Sequence, residues 1–113
     1  MKLSEKQIKL CHALNSIERW AFGLGYDLVR EDAYRNPVVH GEFGIKKSYA
    51  AAYSVHKLKL AQDYSVFRNG KYVTGEEANR VFNLMHDHAD TLGLAERIPG
   101  DLGHFSMEHQ GHR

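Results

Sequence analysis

The sequence predicts a small α+β domain, a small antiparallel sheet with helices packed on it. Three observations predict it. An early and a late stretch each carry apolar residues at helical spacing. Between them, Asn69-Gly70 separates two short apolar runs. Asn-Gly is the strongest local hairpin signal, because a type I′ turn needs positive φ at both central positions. Helical and strand patterns are segregated along the chain, which is the α+β arrangement. With 113 residues, a single domain over 1–113 and one modest core are expected.

The first helix is expected to start at Ser4 as N-cap. Leu10, Leu14, Ile17, Ala21 and Leu24 mark its apolar face, and Gly23 and Gly25 end it. Cys11, beside that face, reads as a small buried hydrophobe. Residues 26–30 (YDLVR) read as a short strand. Residues 31–55 show no clean period, and 46–53 offer a short helix as an alternative to a loop. A strand over 60–66 leads into the hairpin. Thr74 and Glu77 have capping-box spacing at the head of a second helix over 75–91, with Ala78, Val81, Phe82, Met85 and Ala89 inward. Pro99-Gly100 makes a turn, GHFSM a last strand, and EHQGHR a solvent-exposed tail.

Composition narrows the function classes. A formal net charge of +1 without a basic stripe argues against nucleic-acid binding. No apolar run has membrane-spanning length, and MKLSEKQIKL lacks the apolar core of a secretory signal, so synthesis and folding in a cytoplasm are expected. The single cysteine excludes an internal disulfide framework.

The eight histidines are unusually many for this length and cluster toward the C-terminal half. His56, Asp63 and His104 stand out among them. Zinc accepts imidazole nitrogen and carboxylate oxygen, and a catalytic zinc keeps three protein ligands with its fourth position open to water. Asp101 lies three residues before His104 and can act on the attacking water as a general base. Residues 101 and 104 of a regular strand face opposite sides, so the chain must bend near Gly103, and Gly100 and Gly103 make a bend cheap. On spacing alone, a core histidine at 56 and an ion-paired Asp63 stay open as readings. His86 and His88 diverge around a helix and cannot easily share an ion. They and His12, His40, His109 and His112 read as solvated or structural, although His109 follows the last strand closely enough to reach a cleft.

Taken together, Ser54-x-His56-x-x-x-x-Ala61-x-Asp63 and, downstream, Asp101-x-x-His104-Phe105 resemble the signature SxHxxGxAxD plus carboxylate-x-x-His. That signature belongs to the zinc D-alanyl-D-alanine peptidases and phage L-alanyl-D-glutamate endopeptidases. The resemblance also takes in LSEKQIKL, GYDLVREDAYR, GIKKS and HKLKLAQDYSVFRNGKYV, and is widest to the short phage endolysins. It implies a hedgehog/D,D-peptidase-like fold, one Zn2+ per chain held by His56, Asp63 and His104, and a zinc-activated water with Asp101 as general base and later proton donor. Ser54 is expected to hydrogen-bond near the ligand loop or the substrate. Arg35, with Arg30 as a rival, is expected to meet a substrate carboxylate or the developing oxyanion.

The implied partner is the peptidoglycan stem peptide, with no nucleic acid, no membrane insertion and a monomeric chain. The implied setting is a bacteriolytic phage or prophage enzyme, kept in the host cytoplasm before release and acting in the periplasm or cell wall. The sequence departs from the signature at Lys59, where glycine is expected, and at Asp101, where many members have Glu. The tryptophan and Gly-Gly segment that often precede the last motif are replaced by ERIPGDLGHF. Two other functions fit the same ligands: a zinc-stabilised binding domain without catalysis, and a D,D- or L,D-carboxypeptidase. A phage structural or regulatory protein with incidental histidines would bind no zinc.

Overall fold

The structure is a computed structural model that describes residues 1–46 and 52–113. Helix α1 spans Leu3–Gly23 and buries Leu10, Ala13, Leu14, Ile17 and Ala21. Gly25 (φ 92°) supplies the left-handed residue that turns the chain out of the helix. Three details differ from expectation. Lys2 occupies the N-cap, and Ser4 lies inside the first turn. Cys11 is exposed, because it sits about 100° around the helix from Leu10, on the solvent side of the stripe. Leu24 is half exposed, because the helix has already ended.

Strand β1 (Asp27–Arg30) pairs antiparallel with the long strand β2 (Ala61–Arg68), Arg30 opposite Tyr64. β2 runs two residues beyond the predicted strand and turns at Asn69 (φ 52°) and Gly70 (φ 76°) into β3 (Lys71–Val73). This is the expected type I′ hairpin, with Arg68 opposite Lys71. Helix α3 (Gly75–Thr91) buries Ala78, Val81, Met85, His86 and Ala89. Thr74 makes no side-chain cap bond. Gly75 takes φ 66°, which distorts the first turn, and Glu77 instead accepts from the Tyr26 hydroxyl and pairs with Arg68. Strand β4 (His104–Ser106) pairs with the start of β2, His104 opposite Asp63.

Among the described residues, the four strands form one antiparallel sheet with three helices, an α+β fold. Backbone bonds Glu31 N to Asp63 O and Asp63 N to Asp32 O, both 2.8 Å, prolong the β1 side of β2. β4 therefore lies on the other edge, in line with β3. The core joins α1 and α3 through Ile17, Met85, Val66, Leu60 and Phe105.

The described residues of 31–55 hold more structure than their irregular sequence suggests. A short helix α2 (Pro37–His40) starts at Asn36, whose side chain accepts from the Val38 amide at 2.9 Å. The alternative helix over 46–53 falls mainly on residues outside those described. A 3-10 helix (Val55–Leu58) precedes β2. The 108–113 tail folds into a turn closed by paired His109 and His112 backbones, and is tied to α1 by Lys6 Nζ donating to Glu108 O at 3.0 Å. No helix among the described residues is long and apolar enough to cross a membrane.

Lys59 ends the 3-10 helix at φ 57°, ψ 37°. The position where the resembled signature has glycine is thus left-handed here. A side chain there is strained by roughly 1 kcal/mol. Lys59 Nζ lies 5.1 Å over the Tyr34 ring, a partial compensation. Lys59→Gly is expected to raise stability by up to about 1 kcal/mol, or Tm by about 4 °C. A melting temperature below that of the unsubstituted chain would show that the ring contact outweighs the strain.

Candidate metal centre

Three elements deliver the central side chains. The 3-10 helix carries His56, β2 carries Asp63, and β4 opens on His104. Ser54 caps the 3-10 helix: its hydroxyl accepts from the His56 amide at 3.3 Å and from Arg35 Nη1 at 3.0 Å. His56 and His104 are almost fully buried, and Asp63 is half buried.

Asp63 Oδ1 lies 3.0 Å from His104 Nδ1 and 3.3 Å from His56 Nε2. Ligand bonds of about 2.0–2.1 Å in a tetrahedron put neighbouring donor atoms roughly 3.3–3.4 Å apart, so the spacing suits one small cation. His56 Nδ1 stands 2.6 Å from Ala33 O. A carbonyl only accepts, so Nδ1 carries a hydrogen, and Nε2 is the ring nitrogen left facing Asp63. Metal-binding histidines are commonly oriented in this way. The 3.3 Å approach lacks hydrogen-bond alignment, and His56 Nε2 and His104 Nε2 are buried without a hydrogen-bond partner. An orphaned buried polar atom costs about 1–3 kcal/mol. An Asp63–His104 ion pair alone leaves that cost at His56, whereas a cation among the three residues removes it. The group can hold a metal ion.

Burial works to raise the Asp63 pKa, but the His104 hydrogen bond and the close approach of the His56 ring outweigh it and hold the carboxyl well below the usual range. The charged form, which a metal needs, is the resident one.

An open cleft of about 370 Å³ lies over the two histidines, and Arg35, Ser54 and Asp101 line it with them. Asp101 and His104 are the ends of one turn, closed by His104 N donating to Asp101 O at 3.1 Å, so both reach the cleft. Gly100 takes φ 82°, and Gly103 is required by proximity: a Cβ there would stand 2.9 Å from Tyr64 O. Arg35 is also held by Asp32, at 3.3 Å. Arg30 points elsewhere, bound to Glu18 at 2.6 and 3.0 Å, and does not line the cleft.

The cleft has walls that the sequence did not announce. Tyr53, His112 and Arg113 line it, and the His112 ring stacks on Tyr53 at 4.6 Å. His112 does this from a tail expected to be solvated, and His109, the tail residue expected near a cleft, is not in its lining. His88 stacks on Trp20 and bonds Ser16 Oγ at 3.0 Å, a structural role.

His86 is buried against Phe105, with Nε2 2.8 Å from Leu102 O inside the Asp101–His104 turn. Burial pushes its pKa down, and the Leu102 bond opposes this only partly. Above about pH 6.5, folded and unfolded chains both hold it neutral. Below that, the unfolded chain takes a proton first, so stability falls with falling pH until the folded pKa is reached. Metal-free protein should therefore lose up to about 1.4 kcal/mol per pH unit from this site. Urea midpoints at pH 7.5 and 5.5 check it: His86→Gln, which still donates to Leu102 O, should flatten the dependence.

No protein-family model matches the chain, and no curated protein sequence matches it.

Proposed function

We propose that the chain is a zinc-dependent peptidase that hydrolyses an amide bond in peptidoglycan stem peptides, of the phage or prophage endolysin type. The observation that carries the proposal is one open cleft lined by Arg35, Asp101 and the two histidines of the His56–Asp63–His104 group. The likeness of the two motifs to the signature of zinc peptidases adds the reaction class. Zinc, when bound, polarises a carbonyl and makes water nucleophilic near neutral pH.

The other roles belong to the chain. Asp101, exposed at the cleft, takes the proton of the attacking water and passes it to the leaving amine. Its arm is one methylene shorter than glutamate, and one turn joins it to His104. Arg35 presents a permanent positive charge to a substrate carboxylate or to the oxyanion. Ser54 holds Arg35 and the His56 amide in one arrangement and serves positioning, not nucleophilic attack.

The test is mass analysis of fragments released from purified peptidoglycan, with and without a chelator. Chelator-sensitive release of stem-peptide fragments is the expected result, and their ends identify the bond cut. A protein that binds zinc stoichiometrically and releases nothing would favour the non-catalytic binding domain instead.

A further inference from the structure

We infer that Lys57 is a positioning residue that holds one wall of the cleft, so that substrate binding depends on its buried ammonium. Lys57 follows His56 directly yet points away from the cleft and is 3% exposed. A lysine this deep ordinarily needs a carboxylate or loses its proton. Its partners here are backbone carbonyls: Nζ donates to Ile45 O at 2.6 Å, Ala52 O at 3.3 Å and Glu42 O at 3.4 Å. Three donors meet three acceptors, which is the full hydrogen-bonding capacity of an ammonium.

Those carbonyls come from two stretches of chain, 42–45 and Ala52. The same stretches are joined by Gly44 N donating to Ala52 O at 2.6 Å and by Phe43 set edge-on to Tyr53 at 5.5 Å. Tyr53 is the cleft wall, and it carries His112 stacked on its face. Phe43 also meets His112 edge-on at 5.8 Å, so the 42–45 stretch and the C-terminal turn share one aromatic contact. The ammonium therefore ties 42–45 to Ala52, this pairing holds Tyr53, and Tyr53 seats the C-terminal turn that lines the cleft. None of this touches the metal ligands, whose supports are Ala33 O for His56 and the β-ladder for Asp63 and His104.

Lys57→Met keeps the length and apolar stem and removes the ammonium. Hydrogen exchange at 42–46 and 52–53 should quicken by about tenfold or more, because the pairing opens locally. Zinc content should stay at that of the unsubstituted chain. On peptidoglycan, KM should rise by about tenfold with kcat changed less, since a misplaced wall weakens binding before chemistry. Lys57→Gln, whose amide can donate to two of the carbonyls, should give intermediate exchange and KM. Unchanged exchange and KM in Lys57→Met would overturn the inference. Tyr53→Ala, at an exposed ring, leaves the core intact if the lysine variants do not fold. A KM rise there supports the wall's role, and an unchanged KM refutes it. The kinetic arm rests on the peptidase reading and the exchange arm does not: if no variant and no parent cleaves peptidoglycan, the peptidase reading fails while exchange still decides for or against Lys57.

Discussion

Asp63→Asn is expected to abolish metal retention while leaving the fold in place. Asp63 is the only anionic member of the candidate group and touches both of its histidines. A structural zinc site is worth about 10–16 kcal/mol over its ligands, so losing one ligand of a small set costs on the order of 4 kcal/mol, or about a thousandfold in affinity. The asparagine keeps the shape, and the backbone bonds of residue 63 to Glu31 and Asp32 are untouched. What the metal-free protein loses is a charge-assisted bond from His104, about 1–2 kcal/mol. Metal analysis after dialysis against micromolar zinc, beside a thermal melt, checks both halves. A variant that still retains one zinc per chain would remove Asp63 from the ligand set.

The second large effect is expected at Asp101. Asp101→Asn should lower peptidoglycan hydrolysis by about 10²–10⁴-fold at unchanged zinc content, the usual worth of a positioned general base. The side chain is exposed, while the turn around it is held by backbone groups: the Asp101 amide bonds Ile98 O at 2.9 Å and its carbonyl accepts from His104. The substitution therefore leaves both the turn and the ligand in place. Activity that survives at full metal content would exclude the general-base role and direct attention to His112, which also lines the cleft.

The parts of the fold legible in the sequence were those set by local rules. The α1 and α3 stripes follow from helical period, and the Asn69-Gly70 turn from the two positive φ values it demands. What period cannot assign is the edge of a stripe. Cys11 lies on such an edge, and a shift of one position decides whether it is in or out. Helix α2 was hidden because Val38 and Val39 are exposed, so its apolar residues signal no buried face, and only the Asn36 cap marks it.

The site divides in the same way. The grouping of His56, Asp63 and His104 was legible through the likeness of two motifs to a known signature, since spacing alone left a core histidine and an ion pair open; the structure brings the three side chains together, and Asp101 to the cleft beside two of them. The placements of Lys57, Tyr53 and His112 were not legible, since they depend on contacts between 42–45, 52–53 and the last turn. Lys59 was flagged as a departure at a glycine position. The structure shows a left-handed backbone at Lys59, a conformation that glycine adopts without strain.

The supports around this centre are mostly main chain. Ala33 lends a carbonyl to His56, Leu102 to His86, and Glu42, Ile45 and Ala52 lend one each to Lys57. A side chain can be exchanged at each of these lending positions without taking the oxygen away. Such a scaffold tolerates drift: residues that steady the centre can change identity over generations while the path of the backbone, and with it the centre, is inherited.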